Sequence, residues 1–294
     1  MKMKNNIIIA ALALAAMVCL CGCSVGFINV NGVRYSDADK YTPGDREFSE
    51  TIDTLDIDWS SGGVKVTAAD VSVVSVKETT KAQLEDELKV HTWAEGSTLH
   101  VRFCKSGESY DKNEPKTVEI TVPKAAVFEG VNIDVSSADV TCEGVSAKAV
   151  SFDSSSGNIT FSGEAGKITA DSSSGDITLT QKGSCESISI DTSSGSADID
   201  AQSVNSLTLD TSSGLGSIKL AEMPSDVNIE ASSGDMTLRL PETAGFKATI
   251  STSSGDVSYE LPMTKEGEET YICGDGSSKL SIDTSSGNVK ILKL

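Results

Sequence analysis

The chain has only two histidines, His91 and His100, and neither has a third partner in the sequence that would complete a metal site. After the first segment its cysteines are Cys104, Cys142, Cys185 and Cys273, scattered without the short spacings of zinc ligands and expected to be buried free thiols. No cofactor is expected. Basic residues are also few, with 24 Lys and Arg against 43 Asp and Glu and a net charge of −19. Such an excess of negative charge excludes nucleic acid as a partner and disfavours direct attraction to anionic lipid. Long apolar runs are absent after residue 20. The one run, residues 7–20, is 14 residues long and too short for a comfortable bilayer span.

What the chain has is one phrase, repeated. Asp171-Ser-Ser-Ser-Gly175 returns at Asp153, Asp191, Asp210, Glu230, Ser251 and Asp283, with weaker copies at Asp58 and Asp134. From Ala138 to Gly255 the copies are 19, 18, 20, 19, 20 and 21 residues apart. A fixed period near 20 marks a stacked repeat. Seven residues before the glycine stand Leu55, Val131, Val150, Ile168, Ile188, Leu207, Val227, Ala248 and Leu280, all apolar. Five before it the column is again apolar, from Ile57 to Ile282, and polar residues fill the positions between. After the glycine the alternation resumes, as in Ile177 and Leu179. Period-two alternation is the strand signature with one face buried. A strand pair of about ten residues buries its apolar face only by stacking on its neighbours. The chain therefore reads as all-β, a parallel β-solenoid of ~20-residue coils with a wider, irregular N-terminal part. The corner glycines suit either positive φ or close backbone approach.

In chain order, residues 1–22 read as a lipoprotein signal peptide. Lys2 and Lys4 begin it, and Leu20-Cys21-Gly22-Cys23 ends it in the form of a bacterial lipobox. Cys23 is then the lipidated residue, carrying palmitate-type acyl chains and holding the protein on the outer face of the cell membrane. Loss of the two lysines takes the mature charge to −21. Residues 23–46 read as a lipid-anchored tether and 47–294 as the solenoid. Residues 70–130 form its irregular coils, with Glu95-Gly96-Ser97 as a hairpin turn, and 262–278 a protruding insertion.

The lipobox, Tyr41-Thr42-Pro43-Gly44-Asp45, Leu55-Asp56-Ile57-Asp58-Trp59-Ser60-Ser61-Gly62, Val118-Glu119-Ile120-Thr121-Val122-Pro123 and the Ser-Ser-Gly-Asp turns are together similar to the putative-adhesin family of bacterial surface proteins with β-strand repeats, a family of unknown function. The resemblance covers about residues 40–294. It implies a β-solenoid and an envelope location, and it carries no catalytic residues to transfer.

Four residues before the glycine stands a column of acids: Asp58, Asp134, Asp153, Asp171, Asp191, Asp210, Glu230 and Asp283, broken only by Ser251. Acids and hydroxyls in corners ordinarily bond their own backbone, so the column is expected to shape turns. Calcium is the alternative, with Asp176, Asp235 or Asp256 adding oxygens, because that ion takes six to eight of them. No Lys, Arg or His falls inside the repeated phrases, which argues against cleavage of acidic polysaccharides. The expected function is a non-enzymatic cell-surface lipoprotein, an adhesin-like binding or scaffold module for a cell-wall glycan or matrix protein. The alternatives are an envelope-stress regulatory protein that binds cationic peptides or a membrane partner, and a calcium-binding solenoid.

Overall fold

The computed structural model describes residues 33–294; the proposed signal peptide and Cys23 lie outside the described residues. The chain is all-β, wound as a stack of parallel coils. Each coil gives one strand before its Ser-Ser-Gly corner and one after it, so two parallel ladders share an interior. In the first ladder Ile168 lies beside Ile188 and Ile188 beside Leu207. In the second, Ile159 lies beside Ile177 and Ile177 beside Ala197. The two apolar columns before the glycine are buried in every coil. Opposite the tight corner the coils bend at irregularities of register, such as that between Gln181 and Ser184. There the buried Gln181 amide bonds both backbone groups of Ala165 in the adjacent coil, at 3.0 Å each.

The corner glycines answer to crowding. A Cβ at Gly175 would collide with the carbonyl oxygen of Gly157, and the same contact recurs from Gly157 to Gly287. In this column only Gly62 has positive φ, at 90°. Ala138 stacks next to it, where the corner differs.

In the coils of Ser154, Ser172, Thr192 and Thr211 the corner is held by the hydroxyl of the residue after the acid. Ser172 and Thr192 are buried, and their hydroxyls donate to the carbonyls of Gly175 (3.0 Å) and Gly195 (3.3 Å) and accept those glycines' N–H groups. The residue after the glycine ties one coil to the next. Asp139 Oδ1 accepts the backbone N–H of Asn158 at 2.9 Å, Asn158 Oδ1 that of Asp176 at 3.0 Å, and Asp176 Oδ1 that of Ser196 at 2.8 Å. The column lapses at the exposed Leu215 and resumes at Asp235, Asn288 and Asp256.

The coils do not stack in sequence order at either end. The strand Thr54–Trp59 lies between Val127–Val135 and Thr98–Arg102, so the second of these segments in sequence is the outermost parallel strand and the first is enclosed. At the other end Ser278–Thr284 lies between Asp226–Ala231 and Phe246–Thr252. The following strands agree: Val289–Lys293 lies between Met236–Leu240 and Val257–Tyr259. First and last coils are thus both enclosed, one place in from the ends of the stack.

Three sequence expectations change. Residues 33–46 are packed rather than a tether: Tyr35 bonds the Cys104 carbonyl at 2.9 Å, and Thr42–Pro43 and Arg46–Phe48 pair with other strands. Strands of two and three residues carry too little alternation to be seen in sequence. Residues 70–130 hold one regular coil, Thr98–Arg102 with Lys116–Pro123, flanked by the antiparallel strands His91–Glu95 and Val74–Thr80. The hairpin turn at Gly96 is present. The 262–278 insertion does not protrude; its hairpin Met263–Lys265 and Thr270–Cys273 lies antiparallel along Phe246–Thr252 and covers that edge. Antiparallel strands therefore blunt both ends of the first ladder, where an open parallel edge would invite pairing with other chains.

Candidate acidic face

The acids of the repeated phrase project outward from the first ladder, because they alternate with the buried columns. The register places Asp58 beside Asp134, then Asp153, Asp171, Asp191, Asp210, Glu230 and Asp283 in one row. Ser251 follows Asp283, and Arg102 precedes Asp58. Out-of-sequence stacking makes the row continuous. In chain order Arg102 would fall between Asp58 and Asp134, and Ser251 between Glu230 and Asp283. At about 4.8 Å per coil the eight carboxylates extend about 34 Å.

These acids do not form the turns, as the sequence suggested; after Asp153, Asp171, Asp191 and Asp210 the hydroxyl of the next residue bonds the corner glycine's backbone instead. Within the described residues only Glu230 accepts a side-chain hydrogen bond, from Asn228 Nδ2 at 3.2 Å. Asp58, Asp134, Asp171 and Asp210 resist ionisation through burial and the charges beside them. Burial, then the charges of Asp58, Asp153 and Asp56, push Asp134 up to about 6. Burial raises Asp58 as well, with Arg102 opposing and Asp56 adding to the rise. Asp171 and Asp210 rise through burial and their neighbours in the row.

The row ends in a compensated cluster. Asp56 meets His100 Nδ1 at 2.5 Å and Arg102 Nη2 at 2.6 Å. Burial alone would raise Asp56, but these two partners hold it at about 2. His100 stacks on Trp93 at 5.2 Å, and Tyr41 meets the Trp93 ring edge-on at 5.6 Å. His91 is buried elsewhere, its Nδ1 2.9 Å from the Lys89 carbonyl. The four cysteines are buried and free. Among the described residues no group of three or more His, Cys, Asp or Glu side chains is arranged to hold a metal. No helix of the described residues is long and apolar enough to cross a membrane.

Two further arrangements were not read from the sequence. One is the Asp/Asn column after the glycine, whose recurrence is visible in the sequence but whose bonds to the backbone of the next coil arise only from the stacking. The other is Lys116, which takes the corner place of the outermost coil and turns inward with no exposed side-chain surface. Its Nζ meets Glu78 Oε1 and the Leu88 carbonyl at 2.7 Å each and also donates to the Phe103 carbonyl. Trp59, Phe103 and Tyr110 surround it, with ring centroids 4.9, 4.2 and 5.3 Å away. Nothing near Lys116 in sequence announces this cage.

No curated protein sequence matches the chain significantly. Among solved structures it is similar to one from Parabacteroides merdae described as a putative adhesin, at 12% identity and TM-score 0.50, covering 86% of this chain and 96% of that one. It is also similar to one from Parabacteroides distasonis described as a putative lipid binding protein, at 17% identity and TM-score 0.48, covering 86% and 97%. A third, described as a putative adhesin from Bacteroides fragilis, has 13% identity and TM-score 0.41, covering 85% and 96%. At these identities the likeness concerns the fold. A family model described as Toastrack DUF4097 matches residues 52–292, and the chain belongs to that family.

Proposed function

We propose that the protein is a non-enzymatic binding module displayed at the cell surface, anchored through lipid on Cys23, and that its carboxylate row receives an extended cationic partner. The observation that supports this reading is the row itself: eight acids side by side, without the hydrogen bonds that a purely turn-forming role would supply. Leaving such charges unpaired and adjacent works against folding, at roughly 1 kcal/mol per neighbour before screening. A polycation such as a basic peptide would relieve that repulsion along the whole row. Calcium fits less well, because one carboxylate per coil supplies few of the six to eight oxygens it takes.

Binding of oligolysine and of neutral cell-wall glycans to the mature protein tests the proposal, at low and high salt. Oligolysine should bind at low salt and dissociate as salt rises. Asp153→Asn/Asp171→Asn/Asp191→Asn should weaken that binding at least tenfold. Unchanged oligolysine affinity in the triple variant would refute the row as the site. Salt-resistant glycan or matrix-protein binding would favour the adhesive reading instead. For the anchor, Cys23→Ala should abolish incorporation of labelled fatty acid.

A further inference from the structure

We propose that the enclosed coil Ser278–Lys293 is an exchangeable element, and that two copies of this chain associate by each placing it in the other's slot. The inference is independent of the ligand taken by the acidic face.

The slot has two walls. On one side Leu280 and Ile282 lie beside Val227 and Ile229, and on the other beside Ala248 and Ile250. In the second ladder Val289 lies between Met236 and Val257. Asn288 fixes the register on both walls, with its backbone N–H and Nδ2 on Asp235 Oδ1 at 2.8 and 3.0 Å. Its own Oδ1 accepts the Asp256 N–H at 3.1 Å. Withdrawal of this coil would open parallel strand edges on both walls, in both ladders. The occupant that restores every one of these bonds is the same coil from a second copy.

The connection is suited to redirection. Thr270–Cys273 and Ser278–Thr284 flank Phe246–Thr252 on opposite sides. Residues 274–277 therefore cross over the start of that strand. The crossing is short and bears Gly274 at φ 56° and Gly276 at φ 67°. It sits on Gly245, where an added Cβ would collide with Asp275 Oδ1. Such a crossing absorbs a change of direction in a few residues, and a short hinge favours trading an identical element between copies over refolding within one. The first coil is enclosed in the same way, but the packed segment from Tyr35 to Phe48 and the following strands hold it from both sides in sequence.

The mature chain tests this in two ways. Isotopically labelled Glu230→Cys and unlabelled Asp283→Cys variants, whose changed positions are register partners, are unfolded together, refolded at high concentration and oxidised. The exchange predicts a disulfide between position 230 of one copy and 283 of the other, in a dimer separated by size and identified by peptide mass. Absence of that inter-chain link in refolded protein would overturn the proposal. The second measurement needs no variant: amides of 278–293 should exchange with deuterium as a group, faster than those of Ile177–Thr192. Exchange of both only through global unfolding would equally overturn it.

Discussion

Asp283 lies beside Glu230 in the stack, while Ser251, which falls between them in sequence, lies on the far side of Asp283. The interchange keeps the carboxylate row unbroken and seats the last coil between two others. Charge display and end protection are thus consequences of a single topological choice. The same choice recurs at the other end, where Arg102 stands outside Asp58.

The row makes stability depend on pH in a defined direction. Asp134 is raised to about 6 in the folded protein from a usual value near 3.8, so the folded state holds its proton more tightly than the unfolded one. Its favourable contribution is complete below about pH 3.8 and is lost as pH rises through about 6. Asp56, held at about 2, contributes oppositely and loses its benefit as pH falls below about 3.8. Melting followed by circular dichroism should therefore show higher stability near pH 5 than at pH 7.5. Asp134→Asn should raise the melting temperature at pH 7.5 and flatten that difference.

Hydroxyl and acid at one corner should behave differently. Thr211→Val removes a buried hydroxyl that accepts the Gly214 N–H at 2.9 Å and should cost about 1–3 kcal/mol. Asp210→Asn, at the exposed neighbouring position, should change stability by no more than about 0.5 kcal/mol in the same urea titration, or stabilise slightly. A larger loss from the Asp210 change would restore the acids as turn-formers.

Close stacking at the corners makes their glycines intolerant of a methyl group. Gly175→Ala would drive its Cβ into the Gly157 carbonyl, and overpacking of this kind costs about 1–3 kcal/mol. Ser174→Ala, one residue away and exposed, should be within about 0.5 kcal/mol of the parent. Equal effects of the two changes in urea titrations would contradict the stacking account.

The buried lysine should show strong coupling to its partner. Burial lowers the Lys116 pKa and Glu78 opposes the fall. Lys116→Met strands the Glu78 carboxylate and should cost about 3–5 kcal/mol. Adding Glu78→Gln should recover a substantial part, which a double-mutant cycle by chemical denaturation measures directly.

Local chemistry wrote much of this protein into its sequence. Leu55 through Leu280 and Ile57 through Ile282 recur because every coil must bury the same two places, and the repeated acid, hydroxyl and glycine announce the corner. That periodicity determined the strands, the parallel solenoid and the outward face of Asp58 through Asp283. It could not determine stacking order, because coils with the same apolar columns fit one another in any sequence. Choosing Asp283 as the neighbour of Glu230 required the 274–277 crossing over Gly245 and the covering hairpin, both tertiary contacts. The roles of Ser172 and Asp171 were likewise settled in three dimensions: the corner turns Ser172 inward to the glycine backbone and leaves Asp171 facing solvent. The Lys116 cage draws Glu78, Leu88, Phe103 and Tyr110 from distant segments, so only folding could bring a buried cation its partners.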